Sequence, residues 1–245
     1  MTQVSKSPAR IAGMFDAIAT RYDLLNHLLS AGIDRRWRKR ALRSLALTGR
    51  ERLLDLCAGT ADLAIAAVDA PSPPRHVIGI DFARRMLRVG NGKIRRRRLD
   101  GRIALVQGDA TRIPLKDGAV DAITVGFGIR NIEDLGAACE EMRRVLAPGG
   151  RLAVLEFGIP RTPGLKPAYL LYFNRILPLI GRMISRHEAA YAYLPASVSA
   201  FARPQELVTI LGQHGFVEVS CAPLTFGIVY LYTGIRASEG GGVPG

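Results

Sequence analysis

The chain has 245 residues, of which 48% are hydrophobic, so it is long enough to bury one sizeable core. Its formal net charge of +13 comes mainly from arginine, and no apolar run reaches the roughly 18 residues that span a bilayer. Cys57, Cys139 and Cys221 lack the spacing of a disulfide framework or of a metal site. This composition excludes an integral membrane protein and a disulfide-rich secreted domain, and it predicts a cytoplasmic protein without a metal.

Short apolar runs alternate with amphipathic segments after an N-terminal helical extension, residues 1–48, in which a helical region spans Pro8 to about Leu47. Strands are predicted at Arg52–Cys57, His76–Ile80, Ile103–Gln107, Val120–Phe127 and Arg151–Phe157. Helices are predicted at Thr60–Asp69, Ala83–Arg98 and Glu133–Leu146, with a turn at APGG (147–150). This alternation is typical of a parallel sheet covered by helices on both faces.

The C-terminal part departs from that alternation. A helical insertion is predicted over residues 163–200, because it begins with the long, apolar, helix-like stretch Pro163–Arg186. Two alternating strands follow in residues 215–235, and their short link requires an antiparallel pair. We therefore predict an α/β fold with a doubly wound, Rossmann-like seven-stranded sheet over residues 49–236, mostly parallel with an antiparallel C-terminal strand, and a flexible tail at 237–245.

The segment LLDLCAGTADLA (53–64) predicts a ligand-binding loop after the first strand. Asp55 lies near the end of the strand, Gly59 allows a sharp turn, and Thr60 can cap the next helix and present its hydroxyl and amide to a carboxylate. A loop that binds pyrophosphate needs further glycines, but alanines stand at 58 and 61. The loop therefore favours a phosphate-free adenosyl ligand, S-adenosylmethionine, over a dinucleotide.

Acidic residues also follow the next two strands, at the edge where doubly wound sheets bind ligands. Asp81 can accept hydrogen bonds from both hydroxyls of a ribose. Asp109 can accept one from an exocyclic amine, and Ala110 can offer its amide to an adenine ring. Each aspartate alone is compatible with an ordinary strand-end cap, but three at successive strand ends predict a site.

Five segments resemble the ubiquinone/menaquinone biosynthesis C-methyltransferases, a family of class I S-adenosylmethionine-dependent enzymes. They are MFDAIATRYDLLNHLLSAGIDRRWRKR (14–40), LLDLCAGTADLA (53–64), VGFGIRNIED (125–134), RVLAPGGRLAVLEF (144–157) and AYAYLPASVSAFARPQEL (190–207). The resemblance implies C-methylation of a polyprenylated quinol ring, with the insertion on the substrate side. It also implies that Thr60, Asp81, Asp109 and Ala110 contact the cofactor. Gly126 stands where the family often has serine, and Ala58 and Ala61 replace family glycines.

The implied chemistry requires a phenolate, because a ring carbon becomes nucleophilic when the neighbouring hydroxyl, with a pKa of about 10, loses its proton. Arg130 can stabilise that phenolate, and Asn131 can orient a ring oxygen. Tyr22 lies in the N-terminal helical region, which can fold over the site as a lid. The alternatives for proton removal are Tyr22, Asp23, His27, Glu156, His187 and a bound water.

Basic residues cluster at Arg35–Arg40 and at Arg84–Arg102, which predicts either solvated helix faces or attraction to a polyanion. For a prenylated substrate we expect a cytoplasmic enzyme that associates peripherally with the anionic inner face of the membrane, without a nucleic-acid partner. The sequence patterns are compatible with a homo-oligomer.

A methyltransferase acting on RNA or another small molecule is the alternative function, although GFGIRN (126–131) differs from the N/D-P-P-aromatic motif of amine-methylating nucleic-acid enzymes. A non-catalytic adenosyl- or membrane-binding module is the second alternative.

Overall fold

The computed structural model describes residues 7–160, 164–172, 175, 188–201 and 203–238. The strands are β1 (Arg52–Leu56), β2 (His76–Asp81), β3 (Ile103–Gln107), β4 (Val120–Gly126), β5 (Leu146–Phe157), β6 (Phe216–Leu224) and β7 (Val229–Arg236). The helices are α1 (Pro8–Leu29), α2 (Asp34–Ser44), α3 (Asp62–Val68), α4 (Arg84–Arg96), α5 (Leu135–Val145), α6 (Leu165–Leu171), α7 (Glu188–Ala200) and α8 (Pro204–Gln213).

All seven strands form one sheet in the order β3-β2-β1-β4-β5-β7-β6. Strands β1 to β5 are parallel, whereas β7 runs antiparallel to both of its neighbours. The predicted fold class is therefore confirmed. The chain reverses its direction of strand addition between β1 and β4, and ligands of doubly wound sheets bind beyond the carboxyl ends of such strands.

Three of the differences from the predicted bounds concern turns. The N-terminal helical region is two helices, because Ala31 and Gly32 adopt positive φ angles of 49° and 74° between α1 and α2. Helix α3 begins at Asp62 rather than Thr60, since Ala61 before it is left-handed. The APGG segment belongs to an irregular start of β5, in which Leu146 already pairs with Val120.

Other predictions fall partly beyond the described residues. Of the predicted stretch 163–186, the structure describes α6 and little else, and most of the predicted tail also lies outside the described ranges. No helix of the described chain is both long and apolar enough to cross a membrane.

Alternate residues of the central strands pack on opposite faces of the sheet. Leu54 belongs to a core with α5 and α8, whereas Leu53 belongs to a core with α2 and α3. Helix α1 contacts α4 and α7. Side chains from α1 therefore reach the ends of β1, β2 and β4, where several of the predicted site residues lie.

Candidate active site

The loop after β1 has a left-handed backbone at alternate residues. The φ angles are 57° at Cys57, 54° at Gly59 and 66° at Ala61, whereas Ala58 keeps a negative φ. A left-handed conformation costs a residue with a Cβ roughly 1 to 2 kcal/mol. Of the two alanines in the loop, only Ala61 bears this cost, and Cys57 bears it as well.

Asp81 fixes this loop to the end of β2. Its Oδ2 accepts a hydrogen bond of 2.8 Å from the amide of Gly59, and its Oδ1 accepts one of 2.8 Å from the amide of Ala83. Burial raises the pKa of Asp81 to about 6, although the backbone donors act to lower it. The carboxylate lines the cleft at the strand ends and is oriented by backbone groups.

Asp55 lies beneath the loop. Its Oδ1 accepts a hydrogen bond of 2.8 Å from the hydroxyl of Thr124, and its Oδ2 accepts one of 3.1 Å from the amide of Ala64. Burial raises the pKa of Asp55 to about 7. Both oxygens are thus engaged inside the protein, where they join α3 to β4.

Asp109 and Ala110 follow β3. Asp109 is exposed, and its Oδ1 accepts hydrogen bonds of 2.8 Å from the amide and 2.9 Å from the hydroxyl of Thr111. Ala110 is buried in the core. Neither belongs to the described lining of the narrow cleft beside Asp81, and their contact with a cofactor stays a prediction.

A narrow cleft of about 30 Å³ lies at the ends of β1, β2 and β4. Four predicted residues from the sheet and one from α1 meet there: Gly59, Asp81, Gly126, Asn131 and Tyr22. Phe15 of α1 and Met86 of α4 complete much of its apolar lining. Helix α1 therefore covers the cleft, as the lid interpretation requires.

The loops after β1 and β4 approach each other at the backbone. A Cβ placed on Gly128 would lie 2.3 Å from the Cβ of Cys57, far inside van der Waals contact. Only glycine fits at this position without separating the two loops.

Thr60 links the loop to α1. Its hydroxyl donates to Asp23, whose other oxygen accepts a hydrogen bond of 2.7 Å from the ammonium of Lys93. Lys93 also pairs with Asp62 at the start of α3. Asp23 is one of the alternatives for proton removal, and both of its carboxylate oxygens take part in these contacts, which join three elements. The separation of 37 residues between Asp23 and Thr60 gave no local signal of this contact.

Arg130 is buried against Glu156. Its Nη1 donates to Glu156 Oε1 at 2.7 Å and to the carbonyl of Phe127, and its Nε donates to Ser197 at 3.3 Å. Its guanidinium carbon lies 5.6 Å from the ring centroid of Phe157. Glu156 was another alternative for proton removal, but both of its oxygens accept from the Arg130 segment. The pair fixes the cation next to the cleft.

A larger cavity of about 300 Å³ is lined by Arg130 and lies between α1, α2, α6 and α7. Its lining is mostly apolar and aromatic and includes Trp37, Phe127, Phe157, Tyr169 and Tyr193. Phe15, Tyr22 and Phe127 line both this cavity and the narrow cleft. The two compartments are therefore separated by shared side chains rather than by a layer of protein.

Three tyrosines around the cavity lie close enough to Arg130 for its charge to affect the pKa of their phenol groups. Burial raises the pKa of Tyr22, Tyr169 and Tyr193, whereas the charge of Arg130 acts in the opposite direction on each of them. Tyr193 also donates a hydrogen bond of 3.0 Å to the side-chain oxygen of Asn131. A hydroxyl on a ring in this cavity would experience the same cation.

Of the last two alternatives for proton removal, only His27 lies within the described residues, and it is outside the described lining of the cavity. His27 lies 2.7 Å from Asp34, with Nδ1 facing the carboxylate, in the cluster that joins α1 to α2 and α3. His187 lies outside the described residues.

Comparisons with known proteins agree with this arrangement. Residues 1–236 match the ubiE/COQ5 methyltransferase family. The chain is 42% identical to the ubiquinone/menaquinone biosynthesis C-methyltransferase UbiE of Geobacter sp., over 96% of the chain and 100% of the relative. It is 45% identical to the demethylmenaquinone methyltransferase of Thermus thermophilus, over 91% of the chain and 100% of the relative.

Solved structures share the fold at low sequence identity. A SAM-dependent methyltransferase of Aquifex aeolicus has a TM-score of 0.59 at 17% identity, covering 82% of this chain and 89% of its own. The [4+2]-cyclase SpnF has a TM-score of 0.64 at 17% identity, covering 96% and 98%. One fold thus carries different chemistry, so the reaction must be argued from the site.

Proposed function

Because the chain belongs to the ubiE/COQ5 methyltransferase family, we propose that it methylates a ring carbon of a prenylated benzoquinol or naphthoquinol in quinone biosynthesis. Its cofactor is S-adenosylmethionine, which supplies an electrophilic methyl group on a sulfonium. The family resemblance predicted from the sequence is confirmed by these comparisons.

The strand-end residues fit this cofactor. Asp81 is buried at the cleft without an ion-pair partner among the described residues, so its ionised carboxylate is suited to the two hydroxyls of a ribose. Gly59 and Gly126 permit a close approach of the ligand to the backbone. We assign Thr60 to the amino-acid end and Asp109 with Ala110 to the adenine end, while Asp55 supports the loop from beneath.

Helix α1 acts as a lid in this proposal. Ligand pockets generally enclose a few hundred cubic ångströms, and the cleft beside Asp81 encloses about 30 Å³ under Phe15 and Tyr22. Admission of the cofactor therefore requires α1 to move away from the cleft, and this movement breaks the Asp23–Thr60 hydrogen bond. Residues 1–48 serve as the lid, 49–236 as the methyltransferase domain, and 163–200 as the substrate-side wall, to which Tyr169 and Tyr193 contribute.

The observation that carries the proposal is that Arg130 lines the aromatic cavity while its neighbour Asn131 lines the cleft. A quinol ring in the cavity places a hydroxyl near a buried guanidinium, which favours the phenolate and so raises electron density on the adjacent ring carbon. Glu156 holds the guanidinium in place. Arg130 remains protonated and therefore acts by charge, not as a base.

Tyr22 and Asn131 align the acceptor. Tyr22 lines both compartments, and Asn131 reaches the cleft while its side-chain oxygen accepts from Tyr193. A water molecule takes the hydroxyl proton, because Asp23 and Glu156 are engaged in protein contacts. The cofactor would supply the methyl group by cleavage of its methyl–sulfur bond, with S-adenosylhomocysteine as the leaving group. The ring carbon would lose its proton and the ring oxygen would regain one, so one proton is released overall.

We further propose that the protein works in the cytoplasm, associated peripherally with the inner face of the membrane. A prenylated quinol resides in the bilayer, and α2 carries an exposed basic face. No nucleic-acid partner is needed for this reaction.

The test is incubation of the protein with methyl-labelled S-adenosylmethionine and a membrane lipid extract, followed by chromatography of the quinones. Label is expected in a quinone, and an Asp81→Ala variant is the control for cofactor-dependent transfer. Label recovered in added RNA instead would favour the alternative methyltransferase function, and binding without any transfer would favour a non-catalytic module.

A further inference from the structure

The turn between β6 and β7 has an uncommon backbone. Thr225, Phe226 and Gly227 are consecutive left-handed residues, with φ angles of 46°, 58° and 86°. Residues with a Cβ rarely adopt this conformation, and strained backbone clusters at functional sites. The turn presents the phenyl ring of Phe226 to solvent with 73% of the residue exposed, the highest value among the large hydrophobic residues of the described chain.

The turn is anchored on both sides of Phe226. The indole N–H of Trp37 in α2 donates a hydrogen bond of 2.8 Å to the hydroxyl of Thr225. Gly227 is buried, and a Cβ there would lie 3.0 Å from the hydroxyl oxygen of Tyr230. Thr225 and Ile228 line the aromatic cavity. Phe226 is therefore an exposed apolar tip at the edge of the cavity, held by rigid neighbours.

Helix α2 places positive charge beside this tip. Its solvent side consists of five exposed basic residues: Arg35, Arg36, Lys39, Arg40 and Arg43. Within the described chain none of the five forms an ion pair with an acidic side chain. Helical geometry puts Arg36 and Arg40 on the flank next to Trp37, which is bonded to the Phe226 turn.

We propose that Phe226 and the basic face of α2 form a docking surface for a bilayer that contains anionic phospholipid. The phenyl ring inserts at the level of the acyl chains, and the arginines bind lipid phosphates. The cavity also reaches the surface at exposed Ala31, three residues before α2, so docking turns its edge toward the lipid. The inference rests on the proposed function in so far as a membrane-resident substrate requires such an orientation.

The combination of an apolar tip with basic residues favours a membrane over a nucleic acid. Attraction to the phosphates of a nucleic-acid duplex, whose bases are stacked and paired, depends on charge and falls steeply with salt. Insertion of a phenyl ring adds a contribution that salt does not screen. The two partners therefore differ in their dependence on Phe226.

The experiment measures co-flotation of the full chain with phosphatidylcholine vesicles, with and without phosphatidylglycerol. Phe226→Ser is expected to weaken binding to the mixed vesicles by about tenfold or more, because burial of the phenyl ring is lost. Val217→Thr is the matched control, since it removes an exposed apolar side chain, 45% exposed, from edge strand β6, and it should leave binding unchanged. Equal binding of wild type and Phe226→Ser would overturn the proposal.

Two further variants locate the contact. Phe226→Trp is expected to retain binding, and brominated lipid should quench its fluorescence more strongly than that of the wild type, whose single tryptophan is buried Trp37. Arg36→Gln with Arg40→Gln should weaken binding by about fivefold per charge in the presence of phosphatidylglycerol only. Absence of extra quenching would contradict insertion.

Two outcomes separate this inference from the proposed function. If Phe226→Ser loses vesicle binding while the wild type labels no quinone, the proposed docking surface is supported and the proposed methylation of a quinol is refuted. If the basic face binds added RNA, RNA displaces the vesicles, and Phe226→Ser makes no difference, the surface is a polyanion site and the membrane proposal fails.

Discussion

The two walls of the site are built in different ways. On the sheet side, backbone amides that follow β1 and β2 donate hydrogen bonds to Asp81 and so restrict the conformation of the loop after β1. On the helical side, α1, α2, α6 and α7 supply aromatic side chains around Arg130, whose charge is balanced by Glu156. The comparison teaches that the proposed cofactor wall is shaped by backbone contacts, whereas the proposed acceptor wall depends on side-chain packing and one buried ion pair.

The largest effect that would test this contrast is expected at Arg130. Arg130→Ala should lower turnover by at least about 100-fold, because the phenolate loses its stabilising charge. It should also lower the free energy of unfolding by about 3 to 5 kcal/mol, because Glu156 is left buried without its partner. Quinol turnover and chemical denaturation measure the two losses.

A double variant separates these losses. Arg130→Met with Glu156→Gln should recover most of the folding stability, because no charge remains unpaired, but it should recover no turnover. Restored turnover in the double variant would show that Arg130 acts only through the fold.

The sheet wall is tested by comparing two aspartates. Asp81→Asn should raise the dissociation constant for the cofactor by about 10- to 100-fold, because charge-assisted hydrogen bonds to the ribose are weakened. Asp55→Asn should change it by less than about threefold, since an amide can still bond to Thr124 and Ala64. Calorimetric titration provides both values, and equal losses would place Asp55 in direct contact with the ligand.

The pH dependence of binding follows from the raised pKa of Asp81, about 6. The ionised carboxylate accepts from the ribose hydroxyls, so affinity should be constant above neutral pH and fall by up to tenfold per unit as pH drops below about 6. The contribution of Asp81 to folding has the opposite sign. Because its folded pKa is raised, that contribution is complete below the unfolded pKa and is lost as pH rises through about 6. Asp81→Asn should flatten the binding profile, and an unaltered profile would assign the titration to another group.

The smallest effect concerns the two loop alanines. Ala58→Gly should destabilise the fold, because it removes a buried methyl group and adds flexibility to the unfolded chain. Ala61→Gly has the same costs but relieves a left-handed backbone, so the two variants should differ by about 1 kcal/mol in favour of Ala61→Gly. Thermal unfolding of both proteins measures this difference, and identical stabilities would mean that Ala61 is not strained.

The sequence predicted the sheet wall better than the helical wall, for a physical reason. Parallel strands bring their carboxyl ends to one edge, so Gly59, Asp81 and Gly126 could be placed together from strand order alone. The contact of Thr60 with Asp23 and the pairing of Arg130 with Glu156 depend on how elements dock. No local periodicity encodes such contacts.

Backbone conformation was also hidden from the sequence. An alanine at position 61 reads as an ordinary helix former, yet it adopts a left-handed φ because the loop must turn into α3 there. The same holds at Phe226, where the residue type predicts a strand and the structure shows a left-handed turn.

The contact of Gly128 with Cys57 fixes the distance between two loops of the site. A Cβ on Gly128 would overlap the Cβ of Cys57, so the loop after β1 and the segment that carries Arg130 are in close contact, and rotation of a side chain cannot change this spacing. In the proposed site, this contact fixes the distance between the methyl donor and the acceptor ring. Substitutions in the helical wall can therefore change which acceptor binds without changing that distance.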